Sequence, residues 1–211
     1  MTTTSAHTRY KNKCGNIVPG VTTVIGLLNK PQLVIWANRL GLQGIDSTKY
    51  RDDKAAIGSL AHAMIMADLK GEKADTSDYS ENQITQSETC YLQWLDWCKG
   101  KALKPVCIET PMVSEDYHFG GCPDYLGYVN GDMVLCDYKT GGIYRESYIQ
   151  TCAYAQLLYE NAYPPTDKII ILGIPRSSEE KFQEVTYTDF SPGWQVFKHL
   201  LAVYELLKDI K

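Results

Sequence analysis

No apolar run in this 211-residue chain approaches the roughly 18 residues needed to cross a bilayer; the longest strong one, Ile169 to Ile174, is a strand's length. The stretch from Met1 to Lys13 is polar and lacks the apolar centre of a signal peptide, so a cytoplasmic protein with no membrane partner is expected. The seven cysteines are an odd set without a single Cys-x-x-Cys pair. That sets aside a disulfide frame and a zinc clip, and it points to reduced thiols. Internal repeats and low-complexity tracts are missing. So are the G-x-x-x-x-G-K-[ST] and G-x-G-x-x-G loops of nucleotide binding and the G-x-S-x-G of acyl transfer. An excess of positive charge is also lacking: 21 Lys and Arg stand against 25 Asp and Glu, a formal charge of −4, which argues against a coat on nucleic acid.

What is present is the composition of a globular protein, 44% hydrophobic and 22% charged. The length suggests one domain, 1–211, able to bury roughly 70% of its unfolded surface. The charge is unevenly spread, with residues 1–58 at +5, 59–135 at −7 and 136–211 at −2. The basic stretch, with Lys30, Arg39, Lys49, Arg51 and Lys54, is either a local surface for phosphates or a solvated face.

Pattern divides the chain into a helical section, 1–103, and an αβ section, 104–211. A short helix capped by Thr22 or Thr23 is expected, then one opening on Pro31 and running to about Leu42. A third helix is expected from about Tyr50 to Lys70, facing the core with Ala56, Leu60, Ala63, Met64 and Ala67 and ended by Gly71. Ser80 with Gln83 forms a capping box for a helix to about Lys99. Strands follow at Val106–Val113, Tyr117–Val129 and Met133–Tyr138, read as a three-strand meander. Then come a helix at Glu146–Asn161, a buried strand at Lys168–Ile174, an edge strand at Phe182–Tyr187, and a last helix capped at Ser191-Pro192. The fold class is mixed α/β: a central mixed sheet of about five strands flanked by helices, with an amino-terminal helical section.

The chemistry concentrates at one hairpin. Asn130-Gly131 is a strong type I′ turn signal, and a two-residue turn there sets Asp124 opposite Asp137. Cross-strand partners share a face with Cβ atoms about 4.5–5.5 Å apart, so two carboxylates repel unless a cation lies between them. Hard oxygen ligands suit Mg²⁺ or Mn²⁺ better than Zn²⁺. Lys139 shares that face and suits an attacking water or a developing negative charge. The pattern alone leaves a solvated surface cluster open as the other reading. Gly120-Gly121 and Pro123 also leave room for a bulge that shifts the register by one. Gln150 and Tyr154, four apart, project from one face of the following helix. By pattern alone His62 is a partly buried helix residue, and His7, His118 and His199 are structural or exposed.

Gly121-Cys122-Pro123-Asp124, then Asp137-Tyr138-Lys139-Thr140-Gly141, then Gln150 with Tyr154, resemble the ordered G-x-x-D, (D/E)-x-K and Q-x-x-x-Y motifs of RecB-like nucleases in the PD-(D/E)XK superfamily. Gly58 to His62 resembles the helical G-x-x-x-H of many members. Val21-Thr22-Thr23-Val24-Ile25, Lys30-Pro31-Gln32-Leu33 and Trp36-Ala37 are similar to the leading segment of phage-encoded exonucleases in this group. The resemblance covers roughly residues 20–160 and finds no diagnostic residues in the last two strands and helix.

It implies a restriction-endonuclease-like core and a metal-dependent DNA exonuclease, acting in phage recombination or DNA processing. Asp124, Asp137, the Tyr138 carbonyl and His62 would hold Mg²⁺ or Mn²⁺. Glu109 and Lys139 would join Asp124 and Asp137 in catalysis, and Gln150, Tyr154 and Arg145 would support the site or contact DNA. Some relatives hold an iron–sulfur cluster through one upstream and three downstream cysteines. No cysteine here follows Cys152, so no such cluster is expected and the thiols read as small core residues. Implied partners are DNA, a phage recombinase or single-strand annealing protein, and further copies of the chain, since some relatives form closed rings. Other readings are a site- or structure-selective endonuclease, a non-catalytic nucleic-acid-binding module on the same scaffold, and a metal-binding protein with another substrate.

Overall fold

The computed structural model describes residues 9–210, so His7 lies outside the described residues. A two-stranded sheet opens the fold, β1 (Tyr10–Lys11) with β2 (Ile17–Val18), which the sequence pattern does not signal. Four helices follow: α1 (Val21–Ile25), α2 (Pro31–Leu42), α3 (Ser47–Lys70) and α4 (Glu81–Cys98). The αβ part comprises β3 (Leu103–Ile108), β4 (Met112–Ser114), β5 (Phe119–Gly121), β6 (Tyr125–Val129), β7 (Asp132–Thr140), α5 (Arg145–Glu160), β8 (Lys168–Ile174), β9 (Gln183–Tyr187) and α6 (Ser191–Lys208). Among the described residues no helix is long and apolar enough to cross a membrane.

Local chemistry explains most boundaries. Pro31 opens α2 because its missing N–H is no loss in a first turn. Asp46 caps α3, accepting from the backbone N–H groups of Thr48 and Lys49, and Gly71 closes it in the left-handed region at φ 70°. The Ser80–Gln83 capping box forms in full. Two expected caps are displaced. Gly20, not a threonine, precedes α1, and Phe190 precedes α6, so that Ser191 and Pro192 lie inside its first turn.

The five-stranded sheet has the order β3-β6-β7-β8-β9, with β7 and β8 parallel and the other pairs antiparallel. The expected meander is therefore present but interrupted. The stretches read as Val106–Val113 and Tyr117–Val129 each break in two, and β4 pairs with β5 as a separate hairpin. A bulge between Pro105 and Cys107 shifts the β3–β6 register by one residue, and pairing resumes with Cys107 opposite Leu126 and Ile108 opposite Tyr125. The β6–β7 register is the one the Asn130-Gly131 turn demands, with Val129 opposite Asp132 and Tyr125 opposite Cys136. Both turn residues have positive φ, 53° and 98°.

Period-2 alternation assigns the sheet's two faces to two cores. Leu126, Leu135, Ile169 and Ile171 pack on one face with Val24, Leu157 and Phe197 from α1, α5 and α6. Tyr125, Val134, Cys136, Tyr138, Ile170 and Leu172 pack on the other with Ala61, Ile65, Cys90 and Trp94 from α3 and α4. The core stripe of α3 keeps Leu60 and Ala67 of the expected set and takes Ile57, Ala61 and Ile65 in place of Ala56, Ala63 and Met64. Cys90, Cys107, Cys136 and Cys152 are buried in these layers as small core residues, whereas Cys14 is exposed.

Close approach fixes one glycine. A Cβ at Gly127 would lie 2.5 Å from the Lys104 carbonyl oxygen and 2.5 Å from the Tyr125 hydroxyl. Gly127→Ala should therefore lower stability by about 1–3 kcal/mol through overpacking that a β-ladder cannot relieve. Urea denaturation checks this, and an unchanged midpoint would contradict the close approach.

Candidate metal centre

The site forms where β3, β6 and β7 end beside α3. Asp124 immediately precedes β6, and the ladder continued by one pair beyond Tyr125 and Cys136 sets it opposite Asp137. Asp124 Oδ2 accepts the backbone N–H of Tyr138 at 2.8 Å, which locks its carboxylate against β7. Glu109 was expected on a strand. It lies one residue past β3 with φ 38°, and its backbone N–H donates to the Asp124 carbonyl at 3.1 Å. A glutamate in the left-handed region is strained, and here the strain accompanies a turn that aims its side chain at Asp124.

His62 completes the group from α3. Its Nε2 is 2.9 Å from the Tyr138 carbonyl oxygen. A carbonyl only accepts, so Nε2 carries the proton, and Nδ1 faces Glu109 at 3.8 Å and Asp124 at 3.7 Å. Such a hydrogen bond on the far ring nitrogen is how histidine ligands are oriented. One ligand atom each from His62, Glu109 and Asp124 lies within 4.8 Å of the others. Burial disfavours the charged imidazolium, yet Asp124 and Glu109 outweigh it and raise the His62 pKa to about 9. The helix approaches this closely because position 58 is glycine: a Cβ there would lie 2.9 Å from the Thr140 hydroxyl.

Asp137 is a buried charge, with 1% of its side chain exposed, and it meets Lys139 Nζ at 2.7 Å through Oδ2. Its Oδ1 accepts no hydrogen bond among the described residues. Burial pushes the Asp137 carboxyl above the usual carboxylate range, against the pull of Lys139. Burial also disfavours the Lys139 ammonium, but Asp137 and Asp124 hold its pKa above the ordinary value. Cys136 points to the opposite layer, as alternation requires.

Beneath lies the pair from α5. Gln150 Nε2 donates to the Tyr154 hydroxyl at 2.8 Å. Burial raises Tyr154 well above its normal pKa, and both Asp137 and Asp124 add to the shift, which places it in the field of the two carboxylates. Gly121 leaves room for the Tyr154 ring, whose Cε1 would lie 2.6 Å from a Cβ there.

The expected residues thus divide. Asp124, Glu109 and His62 converge as a group that could hold a metal ion, Asp137 and Lys139 form a buried pair beside it, and the Tyr138 carbonyl is engaged by His62. Arg145 is exposed in the first turn of α5 and does not line the cleft at the cluster. His118 and His199 are exposed and outside the group. That cleft, about 560 Å³ and open, is walled by His62 and Glu109, Ser59 and Thr140, and two cations, Lys54 and Arg176. Arg176 was not anticipated. The available signal was its place just beyond the carboxyl end of β8, a strand parallel to β7, where open sheets gather ligand-binding residues.

No family model and no curated protein matches the chain. Solved structures similar to it in part include the following two. A candidate exonuclease from Eubacterium rectale matches at 12% identity and TM-score 0.43, over 69% of this chain and 63% of that one. This chain therefore spans less than two thirds of that protein's length. LHK-Exo, solved in complex with dAMP, matches at 13% identity and TM-score 0.35, over 75% of this chain and 87% of that one.

Proposed function

We propose that this chain is a divalent-metal-dependent nuclease of the RecB-like, PD-(D/E)XK kind, hydrolysing DNA phosphodiester bonds from an end. The observation that carries the reading is the convergence of His62 Nδ1, Glu109 and Asp124 within 4.8 Å, beside the buried Asp137–Lys139 pair. Without metal the two carboxylates are balanced by a proton on His62, whose pKa they raise, so a bound cation would take that proton's place; the Oδ1 of Asp137 is a lone pair left without a donor among the described residues. Carboxylates and one imidazole, with no thiolate among them, fit Mg²⁺ or Mn²⁺. The Tyr138 carbonyl keeps a second lone pair beyond the one His62 uses. Bound there, the ion would polarise the scissile phosphate and lower the pKa of a water.

The chain's own residues do the rest. The Tyr138 N–H holds Asp124 in place. Nε2–H of His62, tied to the Tyr138 carbonyl, keeps Nδ1 turned toward Glu109 and Asp124, with which it would hold the ion. Lys139 neutralises Asp137 and presents a positive charge where negative charge grows on the phosphate. Gln150 and Tyr154 brace the floor under both carboxylates. A phage-recombination setting, with a recombinase or annealing protein as partner, extends this reading.

The test uses linear, nicked and closed circular DNA with Mg²⁺, Mn²⁺ or EDTA. Linear DNA should shorten with either metal while closed circles survive and EDTA stops the reaction. Cutting of closed circles would make the chain an endonuclease. Binding without degradation under every condition would leave a non-catalytic module.

A further inference from the structure

We propose that Arg176 and Lys54 form a phosphate subsite in the same cleft as the metal cluster, holding the DNA strand next to the bond that is cut, with Tyr50 as the surface on which the adjoining base stacks. The inference deepens the nuclease reading and rests on it for its role. The two cations and the His62–Glu109 wall line one continuous cleft. A strand whose scissile phosphate sits at the carboxylates has a neighbouring phosphate that those carboxylates repel, and Arg176 and Lys54 offer positive charge in the same cleft.

Arg176 is held for such a task. Glu180 receives its Nε at 3.2 Å and its Nη2 at 2.5 Å, and also accepts the Arg176 backbone N–H at 2.8 Å. One edge of the guanidinium is thereby fixed, and Nη1 is left without a hydrogen-bond partner among the described residues. The plane lies against Gly141, where a Cβ would come within 3.2 Å of Nη2. Gly141 also has φ 106°, so the loop after β7 can pass beneath it only as glycine. A planar, pre-oriented fork with free donors suits phosphate oxygens.

Lys54 gives one hydrogen bond, to Gln86 Oε1 at 2.8 Å, and an ammonium has three. Its Nζ stands over the Tyr50 ring, 5.4 Å from the centroid. Tyr50 is 40% exposed and packs edge-on with Trp36 at 6.0 Å. Cations along a groove with an exposed aromatic face are the elements of single-strand binding.

The experiment measures binding of a fluorescent single-stranded oligonucleotide by anisotropy across a salt series, in EDTA and in Ca²⁺. Arg176→Gln should weaken binding about tenfold and flatten the slope of log K against log salt by about 0.7, the loss of one phosphate contact on a single strand. Arg176→Lys should restore the slope but only part of the affinity. Lys54→Gln should flatten the slope likewise, and it decides the matter if Arg176→Gln unfolds for want of its Glu180 pair. Tyr50→Ala should weaken binding with the slope unchanged. The proposal is overturned if Lys54→Gln and a folded Arg176→Gln keep the wild-type slope, or if wild type binds the oligonucleotide in neither condition. Failure of the nuclease reading is seen separately, as wild type that leaves linear DNA intact with Mg²⁺ and Mn²⁺.

Discussion

Lys139→Ala is expected to cut linear DNA about 10²–10³-fold more slowly than wild type in single-turnover assays, the cost of removing one electrostatic donor from a reacting phosphate. The same change should lower stability by about 3–5 kcal/mol, because it strands a buried carboxylate rather than merely deleting a contact. Asp137 is 1% exposed, and among the described residues its ion-pair partner is Lys139 at 2.7 Å. The double variant Asp137→Asn with Lys139→Met separates the two effects. It removes the unpaired charge, so most of the stability should return, while cleavage should stay lost. Urea denaturation reads the first and substrate decay the second. A Lys139→Ala protein that cuts at the wild-type rate would remove the central element of the proposed mechanism.

Without metal, the protein should lose stability as the pH rises. His62 has its folded pKa raised to about 9, the carboxylates outweighing burial. A raised base contributes stability that is complete below its unfolded pKa of about 6.5 and is lost as pH climbs to the folded value. Asp137 acts in the same direction lower on the scale. Burial raises its pKa, so the folded form holds that proton more tightly than the unfolded chain does, and stability falls as pH passes above the usual carboxylate range. Within the His62 window the slope approaches about 1.4 kcal/mol per pH unit for the one proton involved. His62→Gln should flatten that upper window and leave the lower one. Added Mn²⁺ should bind more tightly as pH rises, because the ion takes the position of the proton on Nδ1. Melting curves in EDTA and in Mn²⁺ from pH 6 to 9 provide the check. A profile in EDTA that is flat above pH 6.5, or unchanged in His62→Gln, would contradict the assignment.

Features governed by neighbouring residues could be read from the sequence. Pro31, Gly71 and the Ser80–Gln83 pair act within one turn of chain, and the helices begin and end where those residues require. Asn130-Gly131 needs only its own two positive φ angles, and the register it sets carries Asp124 to Asp137. The buried strand Lys168–Ile174 was legible from its continuous apolar run. Less local features were not. The separate pairing of β4 with β5 and the turn that puts Glu109 at φ 38° were not signalled, although Pro123 marks the break before β6.

The candidate site divides along the same line. The sequence by itself placed an aspartate pair and a lysine on one face of a hairpin, with Gln150 and Tyr154 one helix later, because strand and helix periodicities are short-range rules. Only the tertiary structure decided which atoms meet. It turned His62 Nδ1 toward Asp124 by engaging Nε2 with a carbonyl 76 residues away. It set Asp137 in a buried pair with Lys139, beside the group formed by His62, Glu109 and Asp124. It also brought Arg176, from beyond the next parallel strand, to the same cleft as Lys54 of α3. Those meetings are set by how α3 and β8 pack on β7, and the glycines at 58 and 141 permit the approach without announcing the partner.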